Sequence, residues 1–383
     1  MISIFKQRNR AAIHARLFQL NKSWKTKRRI VVFESDDWGA IRTSNFQSYN
    51  KLKAQGYDVD KSLYMLDALE RDSDLTALYE TLKKHKNNAG ISPKFTANII
   101  TANPDFLKIK ENNYASYTYE SVVQTCEAST SSKNVIPLWL EGIRNNVFTP
   151  QLHGREHVRY WEWMNKLQQG NKETITTFEM NMCGVPKAVS KDNLGFFSPV
   201  YIHDDILKEN NINLEELIVE GSELFTDIFG FESKSTVAPN VAWTSTTESI
   251  WSKCNIDFIQ GGFLQELHSG KGVKYIPRYL GEKNKFNQIY LVRNCTFEPG
   301  KSSNENYWTN TYKEIKRAFL LNTPALISTH RVNYIGAIKE TNRTHGLKQL
   351  EALLTALISE FPDVEFMSSE QLGNTINKSK YNG

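Results

Sequence analysis

Apolar residues recur at helical intervals in several stretches of the chain, and short apolar runs lie between them. The helical stretches are 11–21, 74–82, 214–229, 312–321 and 346–361, and the strand-like runs are 29–33, 94–100, 147–152, 256–260 and 325–328. Turn residues around 274–294 predict a hairpin. Strands that alternate with helices favour parallel βα units, which either a closed barrel or an open sheet would satisfy.

The 383 residues contain no internal repeat and no low-complexity linker. Turn signals are spread evenly over the chain, which argues against a domain boundary inside it. We therefore expect a basic helical extension over residues 1–28, followed by one domain over residues 29–383.

The charge is distributed unevenly. The chain has 47 basic and 42 acidic side chains, and the basic excess is concentrated in the first 29 residues. Such a segment could contact an anionic membrane surface weakly, but a solvated helix before the first strand is the favoured interpretation. We predict no nucleic-acid partner, and the sequence leaves the oligomeric state open.

The cysteines and the apolar runs bear on the cellular compartment. The four cysteines form no C-x-x-C pair, so neither a zinc-thiolate site nor a redox motif is predicted. No apolar run approaches the roughly 20 residues that a transmembrane helix needs, and charges interrupt any signal-peptide core. A cytoplasmic location is expected.

Ionisable residues follow three of the predicted strands directly. Asp36 and Asp37 come after the first strand, His153 after 147–152, and His330 after 325–328. Functional side chains collect at the carboxyl ends of strands in barrels and in open parallel sheets. We therefore expect these residues to belong to one site.

Each of these residues suggests a role and also has a structural alternative. His153 and His157, four apart on a helical turn, could bind one divalent ion, or could merely lie on a surface helix. The pleat could direct one of Asp36 and Asp37 to a cation and leave the other as a proton acceptor, although such pairs also shape turns. His330 could act as a general acid or be a structural histidine.

In order and context, these segments resemble the polysaccharide deacetylases of the carbohydrate esterase class. Residues 33–37, Phe-Glu-Ser-Asp-Asp, resemble the first motif of that family, whose two aspartates are a base and a metal ligand. Residues 153–157, His-Gly-Arg-Glu-His, resemble the second motif, which supplies two more metal ligands. The segment that ends at His330 resembles the final motif, whose histidine is the general acid.

The third motif of the family is matched less closely, by the segment around Pro239 and Asn240. It lacks the family's arginine and aromatic residue, with Thr236 and Asn240 near their places, and Gly154 replaces the hydroxyl residue of the second motif. The substrate contacts expected from the motifs and from the strand-end loops are Trp38, Pro239, Asn240, Arg331 and Asn333.

The resemblance implies a distorted seven-stranded (β/α) barrel with an N-terminal helical extension and insertions. It implies a metal-dependent hydrolase that removes N- or O-linked acetyl groups from a carbohydrate. Asp36 would be the base, His330 the acid, and Asp37, His153 and His157 the ligands of a divalent metal, most simply Zn²⁺. The alternatives are a metal-dependent glycosidase on a related barrel and a noncatalytic carbohydrate-binding protein.

Overall fold

The structure is a computed structural model that describes residues 2–198, 200–269 and 272–379, with side chains from residue 8 onward. Met1, the first residue of the predicted extension, and residues 380–383, the last of the predicted domain, lie outside the described residues. The division between residues 28 and 29 stays a prediction.

The strands of the described residues are β1 to β13 in chain order. They are Ile30–Trp38, Phe95–Ile100, Ala102–Pro104, Tyr119–Ser121, Phe148–Gly154, Ser235–Val237, Phe258–Gly261, Leu264–Ser269, Gly272–Pro277, Ile289–Val292, Cys295–Thr296, Ala325–His330 and Glu365–Phe366.

The α-helices are α1 to α14 in chain order. They are Ile2–Lys22, Phe46–Ala54, Asp72–Lys84, Phe106–Glu111, Val122–Ala128, Val135–Arg144, Tyr160–Gln168, Lys172–Phe178, Asp204–Glu209, Leu214–Phe229, Ser245–Lys253, Trp308–Leu320, Glu340–Glu360 and Ser369–Ser379. None of the described helices is long and apolar enough to cross a membrane.

Eight strands form the path of one parallel sheet, in the order β10-β7-β6-β5-β2-β1-β12-β11, and β13 pairs in parallel with β1 beside this path. The predicted hairpin at 274–294 is present in part, because Lys283 and Ile289 form an antiparallel bridge around a turn. The longer antiparallel hairpin is β8 with β9, and β10 pairs in parallel with β7. The sequence of β10 is a short apolar run. A run of this length is typical of a buried parallel strand and of a hairpin arm alike, so the pattern alone does not distinguish them.

The sheet curls on itself. Its two outermost strands, β10 and β11, are joined by only Arg293 and Asn294, which can span at most about 11 Å. Hydrogen bonds also cross the concave side, where Asn98 on β2 bonds Gln260 on β7 at 2.8 and 3.0 Å although two strands separate them in the sheet. The α/β, barrel-like character predicted from the sequence is confirmed.

The two faces of the sheet have different chemistry. Side chains on the outer face of β1, such as Phe33, pack against apolar partners; its ring stacks on Phe95 at 5.2 Å. The alternate positions, Glu34 and Asp36, face the concave side, where polar side chains bond one another. Because side chains alternate along a strand, the outer face supplies the core under the helices, and the concave side supplies the site.

Candidate active site

A backbone irregularity at the end of β1 sets the direction of Asp37. The residue has a φ of +77°, a region that non-glycine residues rarely occupy, and the pairing with β2 shifts in register between Ser35 and Trp38. Bulges of this kind re-aim a side chain next to a functional site. Asp37 therefore joins Asp36 at the carboxyl end of the sheet instead of facing the opposite side.

Three buried side chains converge at this end of the sheet. Oδ1 of Asp37 lies 3.3 Å from Nε2 of His153 and 3.7 Å from Nε2 of His157. One ligand atom from each residue can be chosen so that all three lie within 4.8 Å of one another. One carboxylate and two imidazoles are a donor set that divalent transition metals bind.

The two histidines reach this position without a helix. His153 is in β5, whereas His157 lies in the loop before α7, so the predicted helical turn is wrong. Gly154 allows the chain to fold back, because its φ of +129° favours glycine and a Cβ there would lie 2.7 Å from the Tyr201 hydroxyl oxygen. The ring centroids of the two histidines end up 5.1 Å apart.

The protonation of the three side chains suits a cation. The Nδ1–H of His153 donates to the Val237 carbonyl oxygen at 2.9 Å, which leaves its Nε2 lone pair facing Asp37. Burial, together with the charge of Arg42, lowers the pKa of His157 to about 3, so this imidazole is neutral. Burial alone would raise the pKa of Asp37, but the positive charge of Arg42 outweighs burial and holds this pKa well below its usual value.

Two atoms of this cluster, Oδ1 of Asp37 and Nδ1 of His157, are buried without a hydrogen-bond partner among the described residues. The other carboxylate oxygen of Asp37, Oδ2, accepts from Arg42 at 3.2 Å. An ionised carboxylate oxygen is costly to bury without a partner. The residues present therefore fit a divalent cation.

Asp36 is held by an arginine that comes from another strand. The Arg293 guanidinium donates to both carboxylate oxygens of Asp36, at 2.7 and 2.8 Å, and Asn98 donates to Oδ1 at 2.7 Å. Burial would raise the pKa of Asp36, but the charge and hydrogen bonds of Arg293 lower it below its usual value. Asp36 is thus ionised at neutral pH.

His330 lies beside Asp36 on the neighbouring strand. The two residues are register partners in β12 and β1, and Nε2 of His330 is 4.0 Å from Oδ2 of Asp36. On its other side, Nδ1 is 2.5 Å from Oε1 of Glu298. Burial opposes protonation, but Glu298 outweighs it and raises the pKa of His330 to about 9, so the imidazole carries a proton at neutral pH.

The predicted metal ligands, together with Asp36 and His330, line one pocket of about 250 Å³. Arg42 forms part of its wall, with the guanidinium 4.7 Å from the Tyr64 ring centroid and 4.6 Å from that of Phe197. The Tyr64 ring also meets His330 edge-on, with centroids 5.8 Å apart. The mouth includes Lys187, whose side chain is exposed.

The five predicted substrate contacts are placed differently from one another. Asn240 lines the pocket, and Pro239 is buried beside it. Trp38 is buried with its indole N–H donating to Ser35, and Asn333 is buried with its amide donating to Glu298 at 2.7 Å. Their substrate contacts stay predictions.

Arg331 is fully buried below the site. Its guanidinium donates to Glu70 at 2.7 Å and to Asp67 at 2.8 and 3.2 Å. Asp67 in turn lies 3.1 Å from Nε of Arg42, whose other end reaches Asp37. A buried series of alternating charges thus connects Arg331 to the predicted metal ligand, and the predicted substrate contact of Arg331 also stays a prediction.

Sequence reasoning missed four residues of the pocket and its surroundings: Arg42, Tyr64, Arg293 and Glu298. The strand-end criterion would have found Arg293, which follows β10 directly, had 274–294 not been assigned to a hairpin. Glu298 follows β11 by the same rule. Arg42 and Tyr64 come from loop and insertion segments that carry no periodic signal.

No family model matches the chain, and no curated protein sequence matches it. Solved structures with a similar fold include a family 4 acetyl xylan esterase from Clostridium thermocellum in complex with a cobalt ion, which is 11% identical with a TM-score of 0.36 and covers 90% of this chain and 89% of its own. A polysaccharide deacetylase from Bacillus cereus is 12% identical with a TM-score of 0.30, covering 71% and 65%.

A 4-alpha-glucanotransferase from Thermococcus litoralis is 10% identical with a TM-score of 0.41, covering 90% of this chain and 40% of its own. Polysaccharide deacetylases are thus among the structures that this chain resembles, as its motifs predict. At such identities and TM-scores the likeness says nothing about the reaction, which is inferred from the residues of the site.

Proposed function

We propose that this protein is a metal-dependent hydrolase that removes an N- or O-linked acetyl group from a carbohydrate. The observation that carries the proposal is the arrangement of one pocket. A cluster of Asp37, His153 and His157 fit for a cation adjoins an ionised carboxylate, Asp36, and a protonated imidazole, His330. Acyl hydrolysis needs a base, an acid and a source of positive charge at the carbonyl oxygen.

Asp37, His153 and His157 would hold a divalent ion, for which Zn²⁺ is the simplest choice given two neutral imidazoles and one carboxylate. When bound, such an ion supplies Lewis-acid polarisation of a carbonyl and acidification of water. The ligands are prepared for it, since the His153 tautomer is fixed by Val237 and the His157 imidazole is neutral.

The proton transfers fall to two neighbouring residues. Asp36 accepts a proton from the water that attacks the acetyl carbon, because Arg293 keeps the carboxylate ionised and oriented. As the bond from the acetyl carbon to nitrogen or oxygen breaks, His330 donates its proton to the departing amine or alkoxide. The products are acetate and a free sugar amine or hydroxyl.

We further infer that β10 and β11 are two halves of one barrel strand, which would make the sheet the distorted seven-stranded barrel that the motifs imply. Two observations support this: the halves are consecutive in the chain, and they pair with β7 and β12 at the two edges of the path. The break between the two halves contains Arg293, whose guanidinium donates a hydrogen bond to Asp36.

The glycosidase alternative would use Asp36 as a nucleophile. Glycosidases pair the nucleophile with a second carboxyl group as the acid, whereas the proton donor beside Asp36 is the His330 imidazole. The deacetylase function therefore accounts better for this pair of residues.

The test combines metal analysis of the purified chain with acetate release from a panel of N-acetylated and O-acetylated glycans. We expect one bound divalent ion per chain and one acetate for each amine or hydroxyl freed. Asp37→Ala serves as the control without metal. Cleavage of glycosidic bonds without acetate would support the glycosidase, and bound metal with neither product would support the binding protein.

A further inference from the structure

The whole net positive charge of the protein comes from its first 29 residues. They contain nine basic side chains and no acidic one, which leaves 38 basic and 42 acidic side chains in the remainder, a formal net charge of −4. Within α1, no carboxylate of the described residues forms an ion pair with Arg8, Arg10 or Arg16. Charges that are not neutralised within the chain are free to attract an anionic partner.

The helix α1 has two apolar faces rather than one. Its inner face packs on the β8–β9 hairpin region: Ala15 is fully buried, and the Phe18 ring meets Tyr279 with centroids 6.3 Å apart. Beyond that ring contact, the Gln19 side-chain amide donates to the Arg278 carbonyl oxygen at 2.5 Å. The inner face of α1 thus makes these contacts with the hairpin region, and the outer face is not needed for them.

The outer face of α1 consists of Ile13, Leu17 and Leu20, spaced four and three residues apart and so on one side of the helix. These side chains are 58%, 50% and 49% exposed. Arg10 and Arg16 flank this stripe on the helix surface, one on each side at 100° per residue. A solvated helix, the favoured interpretation of the sequence, would not present three large aliphatic side chains to water in one row.

The outer face continues onto the end of α12. Leu20 and Leu321 line the same surface depression, and the Lys25 ammonium donates to the Leu321 carbonyl oxygen at 3.3 Å. Leu321 is 42% exposed, and its neighbour Leu320 is 82% exposed. The apolar surface therefore involves two separate elements. Lys25 and Arg317 lie beside it, and the one carboxylate among the described residues that line the depression, Glu314, accepts a hydrogen bond from the Thr296 N–H.

We propose that the outer face of α1, together with Leu320 and Leu321, docks the protein on an anionic lipid surface. Aliphatic side chains would enter the acyl boundary while Arg10 and Arg16 bind lipid headgroups, the arrangement of interfacial helices. The charge selects this occupant: a second copy docked by the same face would bring Arg10 and Arg16 against their own counterparts, whereas an anionic bilayer attracts them. The pocket of Asp36 and His330 opens at the carboxyl end of the sheet, whereas α1 leads into the start of β1.

Sedimentation of the full chain with vesicles tests the proposal. The protein should bind phosphatidylcholine vesicles that contain phosphatidylserine, bind pure phosphatidylcholine vesicles far more weakly, and dissociate as salt is raised. Leu17→Ser with Leu20→Ser should weaken binding about 100-fold, since each aliphatic side chain moved from water contributes about a factor of ten. Arg10→Gln with Arg16→Gln should weaken binding and flatten its salt dependence.

Matched variants separate docking from general effects. Leu107→Ser removes a leucine that is 67% exposed on α4, and Lys83→Gln with Arg144→Gln removes two exposed cations elsewhere; all should bind as the unaltered chain does. Circular dichroism and acetate release should be unchanged in the leucine variants. Equal binding to both vesicle types, or full binding by the Leu17/Leu20 variant, would overturn the proposal. So would a dimer in analytical ultracentrifugation that this variant abolishes.

Discussion

The Nδ1 atom of His330 lies 2.5 Å from Oε1 of Glu298, so a carboxylate holds the far side of the imidazole whose Nε2 faces Asp36. The contact fixes both the tautomer and the charge of the ring. Burial would lower the pKa of His330, yet Glu298 raises it to about 9. A residue that is protonated up to that pH can serve as a general acid throughout the neutral range.

The pH dependence of the reaction should therefore end with the deprotonation of His330. The rate is expected to fall as pH rises through about 9, because the acid form is then lost. Glu298→Gln removes the charge that raises the pKa, so the alkaline limb should move to lower pH by about 1 to 3 units. Glu266→Gln, which alters a carboxylate paired with His268 outside the pocket, should leave the limb in place. If the alkaline limb of the pH–rate profile stays in place in Glu298→Gln, Glu298 does not set the pKa of His330.

Asp36→Asn should separate chemistry from metal binding. The amide has nearly the same size as the carboxylate but cannot take a proton from water, so turnover should fall by roughly 10² to 10⁴-fold while the metal content stays unchanged. Glu34→Gln is the matched control, since Glu34 also bonds Arg293 but does not line the pocket, and its effect should be much smaller. Loss of the metal from Asp36→Asn would show that the base and the ligand have been assigned the wrong way round.

The three predicted ligands should be equally necessary for the metal. Asp37→Ala, His153→Ala and His157→Ala each remove one of the atoms that converge in the cluster, and each should lose bound metal in elemental analysis. His203→Ala and His268→Ala provide the comparison, because these histidines pair with Asp205 and Glu266 away from the pocket. Stoichiometric metal in all three ligand variants would disprove the site.

Sequence predicted that residues directly after apolar runs would meet in one place, and the structure brings them into one pocket, while their roles stay predictions. Asp36, His153 and His330 each come at the end of an apolar run, and the parallel sheet brings such ends together whatever the loops do. The direction of Asp37 could not be predicted in this way. It depends on a register shift and a positive φ, which are set by packing against β2 and leave the hydrophobic period unchanged.

Sequence reasoning also did not identify the residues, distant along the chain, that bond Asp36 and His330. Arg293 bonds Asp36 across 257 residues, and Glu298 bonds His330 across 32, at positions that a sequence pattern does not relate. Tyr64 lies in a segment of 3₁₀ turns, Leu63–Leu66, whose lack of period gave no reason to place it near His330. Local periodicity specifies which elements form, whereas these contacts depend on how the curled sheet closes.

Arg331 offers a test between a structural and a substrate-binding role. It is fully buried between Asp67 and Glu70, so Arg331→Met should leave two buried carboxylates without their partner and lower the free energy of unfolding by about 3 to 5 kcal/mol. Arg29→Met breaks the exposed pair with Asp363 and should cost at most about 1 kcal/mol. Urea unfolding measures both. An Arg331→Met chain of full stability but raised KM would instead support the substrate contact predicted from sequence.

We expect the Tyr64 hydroxyl to bind substrate beside His330, the proposed general acid. Its ring lies against Arg42 and His330 in the pocket wall, and the hydroxyl has no hydrogen-bond partner among the described residues. Because the protein itself does not use this hydroxyl, Tyr64→Phe should preserve folding and metal content while lowering kcat/KM by about 2 to 13-fold, the value of one hydrogen bond of about 0.5 to 1.5 kcal/mol.

The division of that loss between kcat and KM identifies when the Tyr64 hydroxyl acts. Loss of a bond made equally in the bound substrate and the transition state raises KM alone, whereas loss of a bond made only as the acetyl group reacts lowers kcat. Tyr49→Phe is the control, since the Tyr49 hydroxyl bonds Asp60 away from the pocket and should not affect either constant. Should Tyr64→Phe match the unaltered enzyme in both constants on N-acetylated and O-acetylated substrates alike, Tyr64 contributes only its ring, which positions Arg42 and His330 by packing.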